Sequence, residues 1–94
     1  MNEDLPSLDY RFAAPLETNG TYNTFVTVPQ SKAVLGTGKA VKIAGTIDGQ
    51  AFQATLMPSG DGAHWLPLRM AICKQIGKNR PGESVEIHLT ERFS

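Results

Sequence analysis

The feature that most constrains this chain is that it repeats itself. Val28-Pro29 recurs as Leu66-Pro67, and an alanine follows each proline at the same distance, Ala33 and Ala71. A glycine then closes each of two short helical stretches, Gly36 and Gly77, and each leads to a Val-x-Ile pair, Val41/Ile43 and Val85/Ile87. The two units span about residues 10–48 and about 50–90. Units this small cannot bury their apolar faces alone, so each must cover the other.

Within each unit the hydrophobic period is two, the signature of half-buried strands. Tyr10, Phe12, Ala14 and Leu16 alternate with Arg11, Ala13, Pro15 and Glu17, and Pro15 marks an edge or bulge. Asn19-Gly20 accepts the positive φ angles of a tight hairpin turn, which makes Thr21 to Val28 the returning partner. Pro29 suits the first turn of a short helix reaching Leu35. Val41, Ile43 and Ile47 predict a third strand, Asp48-Gly49 a second tight turn, and Phe52, Ala54 and Leu56 a fourth strand. Ala63–Leu66 reads as strand five, Pro67–Ile76 as the second helix, and Ser84–Thr90 as strand six with Val85, Ile87 and Leu89 inward. The expectation is a mainly β domain over residues 9–92, after a flexible tail at 1–8. Its two pseudo-symmetric β-β-α-β halves would pair six strands into a closed or nearly closed barrel, with two short helices over the openings.

Composition removes several classes of function. Nine Lys and Arg balance nine Asp and Glu, so no net field recruits nucleic acid or an anionic membrane. The single Cys73 rules out an internal disulfide framework and a cysteine-rich zinc site, and fits a reducing, cytoplasmic setting. The acidic start reads against a signal peptide, and no apolar run approaches the roughly 18 residues of a membrane helix.

Val26 to Pro29, Val41 to Gly49, Leu56 to Leu68 and Gly82 to Ile87 together resemble the bacterial domain of unknown function nineteen-oh-five, over about residues 10–91. The resemblance implies a double-split β-barrel, distantly similar to the swapped-hairpin AbrB-type transcription factors, which build a comparable barrel from two chains. It implies no activity and no catalytic residues.

The chemistry is densest in Leu56 to Pro67, which holds the only tryptophan and one of two histidines. Pro58-Ser59-Gly60-Asp61-Gly62 reads as a wide hairpin loop, or as a nest of amides for an anion. His64 aligns with the inward Val26, so its ring points inside or at the barrel mouth. There it is a hydrogen-bonded structural residue, with Asp61 the nearest carboxylate in sequence, or a general base. Arg69 falls within the helical apolar arc of Leu68, Ile72, Cys73 and Ile76; its stem packs there while its guanidinium reaches water or an anion. Trp65 aligns with Thr27, facing outward as a ligand platform or beneath a covering loop. Cys73 reads as a core residue, and Lys74, Lys78 and Arg80 as complements to the helix C-terminus. His88 lies on the face opposite Val85, Ile87 and Leu89, leaving His64 too few partners for a metal; no metal or cofactor is expected.

These residues favour a binding module for a small anionic molecule or peptide at the barrel rim, formed by Asp61, His64, Trp65 and Arg69. The expected state is a monomer or weak homo-oligomer. Three alternatives remain: a regulatory or nucleic-acid-binding domain, disfavoured because Lys42 aligns with Glu86 and Lys32 with Met70; a small barrel enzyme with His64 as base; and an interaction domain using Trp65.

Overall fold

The structure, a computed structural model, describes residues 8–19, 23–60 and 63–93. In chain order its elements are β1 (Tyr10–Pro15), β2 (Glu17–Asn19), β3 (Asn23–Val28), α1 (Ser31–Leu35), β4 (Val41–Ile47), β5 (Gln50–Pro58), β6 (His64–Leu68), α2 (Met70–Ile76) and β7 (Ser84–Arg92). All strand pairs are antiparallel, in the order β1-β7-β4-β5-β6-β3-β2. β1 and β2 stand at opposite ends of that order, yet only Leu16 separates them in the chain, so the sheet curls into a nearly closed barrel. At the join, the Leu16 amide donates to Glu83 and its carbonyl accepts from Gly82, each at 2.8 Å. These bonds go to a loop instead of a strand, so the single first strand expected from the alternation becomes two, and the described residues form seven strands, not six. Residues 20–22, which hold Gly20 of the first expected turn and the start of its expected returning strand, lie outside the described residues.

The duplication is visible in the register. β3 and β6, counterparts in the two halves, pair with each other, Val26 opposite Leu66 and Val28 opposite His64. Because Val26 corresponds to His64 and Val28 to Leu66, each pair is the image of the other across a pseudo-twofold through Thr27 and Trp65. The counterparts β4 and β7 also pair, with Gly45 opposite Leu89. Ala14 faces Val85 just as Leu56 faces Val41, which makes Tyr10, Phe12 and Ala14 the counterparts of Phe52, Ala54 and Leu56.

One interior results. Leu16, Val26, Val28, Val41, Ile43, Ile47, Leu56, Leu66, Val85, Ile87 and Leu89 are buried in a common cluster, with Leu35 of α1 and Cys73 of α2 closing it. Asp48 and Gly49 take φ of 47° and 85°, the positive pair their turn requires. Asp48 also ties this hairpin to β7: its amide donates to the Glu86 carbonyl and its Oδ1 accepts from the Glu86 amide, both at 2.8 Å. Partial burial opposes ionisation of Asp48, but the Glu86 amide and the Lys78 ammonium, 2.7 Å from Oδ2, outweigh it and hold the carboxyl below the ordinary carboxylate range. At the N-terminal end, the Leu8 amide bonds the Thr90 carbonyl at 3.2 Å, so Leu8 is pinned to β7; residues 1–7 of the expected tail lie outside the described residues. Among the described residues no helix is long and apolar enough to cross a membrane.

The second helix differs from expectation. Pro67 and Leu68 belong to β6, and α2 begins only at Met70, after an extended Arg69 with φ −76° and ψ 154°. Arg69 is therefore not on the helix's apolar arc. α1 likewise begins after the expected Pro29, at Ser31, following Gln30 in the left-handed region at φ 54°.

Gly45 stands where β4 passes close against the β7 backbone. A β-carbon there would run into the His88 carbonyl, beside a register shift in the β4–β7 ladder. Gly45→Ala should therefore cost about 3 kcal/mol in urea unfolding, whereas Gly38→Ala, facing open space, should cost under about 1 kcal/mol.

Candidate functional site

His64 is wholly inside the barrel, with no exposed area. Its Nε2 lies 2.8 Å from the Lys39 carbonyl and its Nδ1 lies 2.7 Å from the hydroxyl of Ser31, also fully buried. A carbonyl only accepts, so Nε2 carries the proton and Nδ1 accepts from the Ser31 hydroxyl. Both ring nitrogens are thereby taken, and the imidazole bolts α1 and the following segment onto the barrel. Asp61, the expected partner, lies outside the described residues. Neither Ser31 nor the Lys39 carbonyl was singled out from sequence. Ser31 corresponds in the repeat to Arg69, which gives no hint of a buried hydroxyl, and a main-chain carbonyl leaves no mark in composition.

Arg69 stands elsewhere. The reason begins with Pro67. Along an antiparallel strand, backbone groups point alternately to the two neighbours. The tight Asp48-Gly49 turn makes Ile47 and Gln50 a hydrogen-bonded pair, so Gln50, Phe52, Ala54 and Leu56 direct their groups at β4, and Ala51, Gln53, Thr55 and Met57 direct theirs away from it. Met57 meets Trp65 of β6, but the next position of β6 pointing toward β5 is Pro67, which has no N–H. Toward β3 the proline falls at a rung that needs none. The β5–β6 ladder accordingly ends at Met57–Trp65, and α2 fills part of the gap.

The remainder of the gap is a groove of about 360 Å³, floored by residues 51–55 and Met57 of β5 and walled by Pro67, Leu68, Arg69, Ala71, Ile72 and Gln75. Apolar surface from Phe52, Ala54, Met57, Leu68 and Ile72 dominates it. Arg69 supplies the only cationic side chain of this lining, and its guanidinium makes no hydrogen bond or ion pair with any described residue. Thus the structure places Arg69 on an open groove and His64 in a sealed interior; it does not bring them together.

Trp65 lies outward and half-buried, its ring 5.1 Å from that of Phe25 at 39°. It is one rung from the groove through Met57. In the hairpin loop, the Ser59 amide and hydroxyl both donate to the Ala63 carbonyl, at 3.1 and 3.2 Å, as a closed turn does; Gly62, like Asp61, lies outside the described residues. Cys73 is buried, and burial pushes its thiol above the usual range, away from nucleophile chemistry. His88 faces outward and meets Asp9 at 2.7 Å. Among the described residues no three of His, Cys, Asp and Glu gather as metal ligands would.

A nearly closed antiparallel barrel of two twinned halves, parting between β5 and β6 and again between β1 and β3, defines a double-split β-barrel domain. The chain belongs to the family described as Domain of unknown function (DUF1905), which matches residues 12–89. No curated protein matches it.

Removing the Ser31 hydroxyl would leave a buried imidazole nitrogen without a donor. Ser31→Ala should destabilise the domain by about 1–3 kcal/mol in chemical denaturation; a cost under about 0.5 kcal/mol would contradict the bond.

Proposed function

We propose that this chain is a cytoplasmic binding module whose β5–α2 groove takes a small anionic molecule or peptide, with Arg69 as the anion receptor. One observation carries the reading: an arginine without a partner among the described residues, on the wall of a mainly apolar groove. A surface salt bridge or a snorkelled stem would give the guanidinium a protein partner or open water on all sides. Here one side is apolar and partly enclosed, which strengthens a charge-assisted bond to a carboxylate or phosphate. The volume is at the lower end of the range of about 300–1,000 Å³ for small-molecule sites, enough for a small ligand or a few residues of peptide. Gln53, Thr55 and Gln75 add neutral hydrogen-bonding groups. Trp65 is a neighbour and reporter of this site, through Met57. His64 supports the fold from within. As a general base it draws no support from its geometry, since ring and hydroxyl partner are both shielded from solvent. The nucleic-acid alternative draws none either, because Lys78, one of the clustered cations, is engaged by Asp48 and by the Ser84 carbonyl.

Screening aliphatic and aromatic carboxylates and organic phosphates by Trp65 fluorescence and calorimetry tests this. Arg69→Gln should weaken binding about 10- to 100-fold, as loss of a charge-assisted bond of about 1.5–3 kcal/mol requires. Absence of binding by every class, or binding indifferent to Arg69→Gln, would remove the proposal.

A further inference from the structure

We infer that the ligand of this groove is an extended peptide bearing a carboxylate, which adds to β5 as an extra strand. The inference rests on the groove reading above and specifies the class of anion. Its basis is main-chain, not side-chain. Ala51 and Gln53 point their N–H and C=O groups away from β4 and into the gap, the β5–β6 ladder stops short of both, and no backbone bond joins either to α2. Both residues are exposed and both line the groove. They are two residues apart, about 6.8 Å along a strand, which is the spacing at which an added strand exchanges its bonds. This is a short unpaired stretch of β5 edge with a cation beside it. Arg69 prolongs the extended course of β6 and lines the groove together with Gln53, where the carboxylate of an entering strand would meet it.

The other half of the barrel parts in the same way, since β1 pairs with β7 and not with β3, but its gap carries a tie. There the counterparts of Phe52 and Ala54 are Tyr10 and Phe12, two rings packed 5.3 Å apart. The Tyr10 hydroxyl donates to the Pro29 carbonyl at 2.6 Å, fastening β1 to the end of β3. In the second half a phenylalanine without a hydroxyl and an alanine without a ring stand in those places, so the equivalent gap lacks that tie and that second ring. A strand entering it would direct alternate side chains at Ala54 and Ile72, which select apolar residues, and the intervening ones outward. Main-chain bonds would supply affinity and the alternate pockets specificity, as in other strand-addition complexes. A small apolar carboxylate would meet Arg69 and the apolar wall equally well, but would leave the β5 amides to water.

The test uses the full chain and a synthetic library of heptapeptides with free C-terminal carboxylates, randomised over apolar residues at alternate positions, with octanoate as the non-peptide carboxylate. Calorimetry should find library members that bind more tightly than octanoate. For the best of them, backbone N-methylation of one alternate set of residues should weaken binding at least tenfold, and of the other set little. Amidating its C-terminus should weaken binding to the native chain but not to Arg69→Gln. If octanoate binds through Arg69 while no peptide exceeds it, or if N-methylation of neither set matters, the strand-addition inference falls and the groove reading stands. If neither probe binds, both fall.

Discussion

At Pro67, β6 has no N–H to offer β5, and much of the molecule follows from that missing donor. The two strands can pair only at the tip of their hairpin, Met57–Trp65 and Pro58–His64. Beyond it they diverge, and the space between them must be closed by something other than a strand. α2 takes that place, presenting Ile72 and Ile76 to the barrel and leaving the β5 edge partly uncovered. Toward β3 the same proline costs nothing, so the seam between the two halves stays intact where Val26, Val28, His64 and Leu66 meet. One residue thus separates the strand pair that forms the core from the strand pair that opens to solvent.

Duplication supplies the frame, and departures from it supply the individuality. Val26 and His64 occupy equivalent inward positions, but the histidine found a hydroxyl and a carbonyl and became a clamp on α1. Its burial is tolerable because every polar atom of the ring is bonded; an unsatisfied one would cost more than the bond contributes. Tyr10 ties one gap to the Pro29 carbonyl and packs on Phe12, whereas Phe52 has no hydroxyl and Ala54 no ring to do the same for its twin. Ser31 and Arg69 are likewise equivalent, one sealed within the barrel and the other on the groove wall.

Much of this was legible in the sequence because it depends on period and turn chemistry. The inward sets Val41/Ile43/Ile47 and Val85/Ile87/Leu89, the Asp48-Gly49 turn and the inward His64 all follow from local rules and from the repeat. The start of α2 was not, because Pro67 satisfies a preference for the first helical turn equally well as it satisfies a strand rung that needs no donor. Reading Pro67 as helical placed Arg69 on an apolar arc and drew it toward His64. Which neighbour a strand residue points its amide at depends on pairing partners distant in sequence, so the groove and its edge became visible only with the register. The Lys39 carbonyl could not be read at all, since main-chain acceptors have no sequence signature.

The account stands on Ala51 and Gln53 presenting unpaired backbone to solvent while their neighbours Phe52 and Ala54 are bonded to β4. Residue-resolved amide hydrogen exchange on the unliganded protein examines this directly. It should show Phe52 and Ala54 protected to near the global stability and Ala51 and Gln53 exchanging close to unstructured rates. Strong protection of Ala51 and Gln53 would mean that β5 is already paired along its length, and the groove would have no strand edge to offer.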